Sequence, residues 1–123
     1  MQKLGPNQTK WVETLESGEY EQGKFWLCRN DEYCCLGVAA KIFADENTKI
    51  RNYDDMTAFN GHDCVAPQYV VDALSLGGPA GNPIIEDPDL KALYELNDFE
   101  DYTFHQITAL LRKNPGHYFT KES

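Results

Sequence analysis

Apolar residues recur at helical spacing in several stretches of the chain, separated by polar segments rich in turn-forming residues. Between Thr9 and Ser17, the residues Trp11, Val12 and Leu15 fall on one face of a helix. Asn7 or Thr9 offers a cap for it, and Gly18 a stop. Phe25-Trp26-Leu27-Cys28 reads as a strand. The polar run Arg29 to Glu32 reads as a turn, and Tyr33-Cys34 as the returning strand of a hairpin. Cys35 to Ala44 carries a charge only at Lys41, which predicts a central helix buried on most of its faces. Gly37 inside that helix costs about 1 kcal/mol of propensity relative to Ala, so another element, or a ligand, is expected to approach it closely.

The second half is more broken. Asp45 to Asn60 reads as polar and irregular, with a short strand at Thr57-Ala58-Phe59. Asn60-Gly61 is a turn signal across which His62 to Val65 could pair back. Pro67 opens a helix whose apolar stripe is Tyr69, Val70, Ala73 and Leu74, and Gly77-Gly78 ends it. A surface loop follows, then a possible strand at Ile84-Ile85. Asp87-Pro88 resembles a cap and first helical residue for a helix holding Leu90, Leu93 and Tyr94. An extended Leu93 to Leu96 fits equally. Asn97 to Asp101 reads as a tight acidic loop. Thr103-Phe104-His105-Gln106 matches a capping box, and Phe104, Ile107, Leu110 and Leu111 continue at helical spacing until Asn114-Pro115-Gly116. These elements predict one α+β domain over residues 1–123, with three or four short helices on a small antiparallel sheet. Residues 1–7 and 117–123 are expected to fray.

Charge narrows the partners. With 11 Lys+Arg against 20 Asp+Glu, the formal charge is −9, which argues against direct binding of nucleic acid or of an anionic membrane surface. No apolar run approaches the roughly 18 residues of a membrane span, and the first residues contain no apolar signal core, so a cytoplasmic location is expected. In that compartment Cys28, Cys34, Cys35 and Cys64 are expected as thiols. With His62 they suggest a zinc site only loosely, because no C-x2-C pair is present, and no metal or cofactor is expected. Buried packing is the simpler role for them. Cys34-Cys35 sits at a strand-to-helix junction, where a helix N-terminus lowers a thiol pKa, so Cys35 is the candidate nucleophile if the chain is an enzyme.

Two polar segments are candidate ligand contacts. In the loop Ser17 to Lys24, Tyr20 could stack on a ligand while Gln22 and Lys24 meet an anion. Asn97 and Asp98 stand before the helix that Thr103 caps, a place suited to a ribose or phosphate. The same residues could instead close a turn on their own backbone and solvate a loop.

Four blocks carry a family resemblance. They are Trp11-x3-Leu15-x-Ser17-Gly18-x-Tyr20-x-Gln22-Gly23-Lys24, then Tyr33-Cys34-Cys35-Leu36-Gly37-Val38, then Ala66-Pro67 with Val70, Ala73, Leu74 and Leu76, and last Leu96-Asn97-Asp98 with Thr103-Phe104-x2-Ile107. In order and spacing they resemble a family of small proteins widespread in bacteriophage genomes and prophages. The chain departs from that pattern at Ala39-Ala40, where the family often has a further Cys, and at Phe99-Glu100-Asp101, where it tends to have Gly. The resemblance implies a phage setting, the cytoplasm of an infected bacterium, and a compact α+β fold. Together with the two polar segments it leads to a non-catalytic accessory protein. Such a protein would bind a small nucleotide-like ligand of the host immune-signal type and so blunt defence. The alternatives are an acidic, DNA-mimicking inhibitor of a host protein and a small Cys-dependent enzyme. Self-association of copies is left open.

Overall fold

Helix α1 (Pro6–Glu16) opens the chain, followed by three two-residue strands, β1 (Glu21–Gln22), β2 (Cys28–Arg29) and β3 (Glu32–Tyr33). Helix α2 (Cys35–Ile42) comes next, then the hairpin β4 (Ile50–Tyr53) and β5 (Met56–Phe59). Helices α3 (Gln68–Leu74), α4 (Leu93–Asp98) and α5 (Phe104–Lys113) complete it, with a closing 3-10 turn at Pro115–His117. These coordinates come from a computed structural model and describe residues 2–123. The fold is α+β. Among the described residues it has five α-helices where three or four were expected. The sheet order is β1-β3-β2-β5-β4, and it is mixed rather than wholly antiparallel because β1 runs parallel to β3.

The expected central helix is central. Cys35 through Ala40 are all buried in α2, which packs on α1, α3 and α4. Trp11 on α1 is buried and donates its indole N–H to Cys35 O at 2.9 Å, tying the first helix to the start of the second. Gly37 has the close neighbour its presence implied. A Cβ placed there would lie 1.7 Å from Leu27 O, so the chain entering β2 lies against the helix backbone.

Several boundaries differ from expectation, each for a local reason. α1 starts at Pro6, with Gly5 at the cap, because Gln8 reaches back to accept the Gly5 N–H at 2.9 Å. α3 ends at Ser75, which takes a left-handed conformation (φ 54°), before Gly77-Gly78. β4 falls in the stretch expected to be irregular, since all four of its residues are exposed and none alternates with a buried face. Only His62 bridges back across the Asn60-Gly61 turn. Ile84-Ile85 forms no strand, although Ile84 N–H reaches His117 O at 2.8 Å. Asp87-Pro88 makes a turn, and the helix begins later, at Leu93. α4 therefore runs through Asn97 and Asp98, which close a helix instead of opening a loop.

Residues 117–123, expected to fray, are tied back to the rest of the chain, while of residues 1–7 Met1 lies outside the described residues. Gln8 is fully buried and donates its side-chain amide to Leu74 O and Lys121 O, both at 2.8 Å. Ser123 O accepts the Gln8 N–H at 3.0 Å, and Thr120 N–H reaches Ser75 O at 2.8 Å. Tyr118 and Phe119 are buried, with Phe119 edge-on to Trp11. Apolar anchors in the last residues, outside any helical period, hold the C-terminal segment on the core.

Candidate ligand-binding site

The segment following α1 crosses the junction of α4 and α5, where side-chain amides bind it. Gln22 donates from Nε2 to Asn97 Oδ1 at 2.9 Å and to Tyr102 O at 2.8 Å, while its Oε1 accepts the Phe104 N–H at 3.0 Å. Asn97 is fully buried. Its Oδ1 also accepts the Cys35 N–H at 3.2 Å, and its Nδ2 donates to Gly23 O at 2.9 Å and to Asp98 Oδ1 at 2.8 Å. Asn97 thus joins the loop to the start of α2, and Gln22 joins it to the start of α5. Asp98 Oδ1 accepts the Phe25 N–H at 3.0 Å as well, and Lys24 pairs with Asp101.

The predicted site residues therefore divide. Gln22, Asn97 and Asp98 come together in one network, with Lys24 at its rim. The amide groups of Gln22 and Asn97 are spent on the chain itself, which makes both residues fasteners. Thr103 caps α5 by accepting the Gln106 N–H at 3.2 Å. The Tyr20 ring lies edge-on to Tyr33 at 5.0 Å, and its partial burial raises the pKa of its hydroxyl.

Beyond this network the surface opens into a cleft of about 400 Å³, lined by Phe25, Cys64, Val65, Ala80, Tyr94, Asp98 and Phe99. Phe25 and Phe99 are 52% and 64% exposed, large values for aromatic side chains. Phe99 sits edge-on to both neighbours, 5.6 Å from Phe25 and 6.4 Å from Tyr94 between ring centres. Phe25 also has φ 74°, the left-handed region that a bulky side chain rarely adopts. Asp98 enters the cleft with one oxygen committed, because both of its hydrogen bonds fall on Oδ1, and Oδ2 has no donor among the described residues. A more open depression of about 660 Å³ along α1 has no aromatic lining.

A family described as a domain of unknown function (DUF8296) matches residues 6–115. The chain belongs to that family. No curated protein and no solved structure matches it. Every residue of the aromatic cleft falls inside the region matched to DUF8296.

Sequence reasoning about this DUF8296 chain named Asp98, which lines the cleft, and did not name Phe25, Tyr94 or Phe99. The available signal was local. Phe99 stands between Asp98 and Glu100, and Phe25 follows Lys24, so each is an apolar ring beside charges and outside an amphipathic period.

The cysteines correct the nucleophile expectation. Cys34 caps α2, its Sγ accepting the Gly37 N–H at 3.3 Å, yet burial pushes its thiol up to about 12. Burial raises Cys35 well above an ordinary thiol, with the neighbouring Cys34 adding to the shift. Loss of solvent outweighs the helix terminus at both positions. Among the described residues, no group of three His, Cys, Asp or Glu side chains is arranged to hold a metal ion. Cys64 is exposed, but partial burial and its hydrogen bond to Asp63 push it up to about 11. A raised thiol pKa leaves little thiolate at neutral pH. Iodoacetamide at pH 7.5 should therefore label only Cys64 in the native chain, and more slowly than free cysteine, while unfolding should release all four thiols. Rapid labelling of Cys35 in the native state would contradict this reading.

Proposed function

We propose that the chain is a non-catalytic binding protein whose aromatic cleft receives a planar, nucleotide-like ring. The conformation of Phe25 carries this reading. A left-handed backbone under a bulky side chain costs on the order of 1–3 kcal/mol. The ring so placed is half exposed and gains little from the chain's own core. Its position is understandable if something outside the chain completes the contact. Base stacking on one aromatic side chain contributes about 1–3 kcal/mol, enough to offset that cost.

The charges refine the ligand. Asp98 Oδ2 suits an amino or ring N–H donor such as a nucleobase edge presents. Glu100 and Asp101 stand nearby in sequence, paired with Lys91 and Lys24. That setting disfavours a phosphate deep in the cleft, so the base end enters and any phosphate points outward. The resemblance of the four sequence blocks to a phage family supports a role in an infected bacterium, where holding a nucleotide-type immune signal would blunt host defence. No helix among the described residues is long and apolar enough to cross a membrane.

The experiment is an NMR titration of the chain with adenosine, uridine and AMP, following the ring signals of Phe25, Tyr94 and Phe99. Adenosine should move those signals, and Phe99→Ala should weaken its binding by about 1–2 kcal/mol without unfolding the chain, because the ring is exposed. Unmoved ring signals at millimolar nucleoside would overturn the reading.

A further inference from the structure

β4 is an open edge of the sheet. Its four residues are all exposed, and its strand partner is β5. Asn60 donates its N–H to Lys49 O at 2.7 Å. Antiparallel ladders alternate, so Arg51–Ala58 and Tyr53–Met56 are the next pairs to exchange hydrogen bonds. The N–H and C=O groups of Ile50 and Asn52 therefore face outward. Such a row is a template for a further strand.

The side chains along this edge run against the overall charge. Lys49, Arg51 and Tyr53 are two residues apart and share one face. With Ala58, Asn60 and Gly61 they line a groove of about 450 Å³. Among the described residues neither Lys49 nor Arg51 joins an ion pair, although the chain carries a formal charge of −9. Pairing β4 with the β4 of a second copy would set these cations against each other, which is unfavourable. We infer that the β4 edge receives an extended acidic segment of a partner protein as an added strand, its carboxylates meeting Lys49 and Arg51. The groove shares no residue with the aromatic cleft, so the two sites stand or fall separately.

The test uses the peptide acetyl-Glu-Val-Glu-Val-Glu-amide and the 15N-labelled chain. Binding should shift the Ile50 and Asn52 amides and slow their hydrogen exchange. The same peptide N-methylated at both valines keeps its charge but loses ladder hydrogen bonds, and should bind at least about tenfold more weakly. Lys49→Glu with Arg51→Glu should also reduce affinity about tenfold, with the β5 amides unmoved to show that the hairpin persists. An equal response to the N-methylated peptide, or to acetyl-Lys-Val-Lys-Val-Lys-amide, would overturn the inference. So would Ile50 and Asn52 amides that ignore the acidic peptide at millimolar concentration.

Discussion

Replacing Gly37 by alanine should destabilise the chain by about 3 kcal/mol or more, although the same change in an ordinary helix interior stabilises by up to about 1 kcal/mol. The reversal comes from the backbone of Leu27. A Cβ at Gly37 would lie 1.7 Å from Leu27 O and 2.6 Å from Leu27 C. Both are main-chain atoms, so no rotamer change relieves the clash. Leu27 is in turn held by its N–H to Asp63 O at 2.7 Å, and its side chain is fully buried. Either the segment entering β2 must leave α2 or the helix must shift in the core. Gly78→Ala is the control. Its Cβ would meet only Asn82 Nδ2, at 3.7 Å, and should change stability by less than about 0.5 kcal/mol. Urea unfolding of the two variants decides the matter. Equal stabilities would mean that the approach of Leu27 to α2 is wrong.

Asn97→Ala should cost about 3–4 kcal/mol, the second large effect. Truncation leaves the buried Cys35 N–H without its acceptor and Gly23 O without its donor, and removes one partner of Gln22. Water has no open route to replace these bonds, because Asn97 has no exposed surface. Asn97→Asp sharpens the test. It keeps the shape but sets a carboxylate oxygen against Gly23 O and the Asp98 carboxylate, where two N–H donors stood. The aspartate form should be at least as unstable as the alanine at neutral pH. It should recover part of the loss as pH falls, because the protonated carboxyl donates again and sheds its buried charge. An alanine variant that unfolds at the same urea concentration as the parent would show the network to be dispensable.

These two residues also show where sequence reading succeeds and fails. Gly37 was legible because a glycine inside an otherwise apolar helix has few explanations. α5 was legible because its capping box and its apolar stripe lie within a dozen residues of each other. Asn97 was legible as important but not in its role. Its partners are Gln22, Gly23 and Cys35, more than sixty positions away, and a polar pair amid acids looks like a turn until its surroundings are known. The aromatic cleft was hidden for the same reason. Phe25 and Phe99 meet across 74 positions, and neither belongs to a periodic pattern. β4 escaped because an exposed edge strand leaves no alternation of burial to read.

Phe25→Gly, measured for stability and for adenosine binding on the same sample, tests the central claim most directly. Glycine accepts φ 74° without strain, and the lost ring contact with Phe99 is on the order of 1 kcal/mol, so the two effects nearly cancel. The expected result is a stability within about 1 kcal/mol of the parent, together with loss of the adenosine-induced shifts at Tyr94 and Phe99. A fall of about 3 kcal/mol or more, typical of truncating a core phenylalanine, with adenosine binding intact, would contradict it. Phe25 would then be part of the core, and stacking of the ligand on its ring would be wrong.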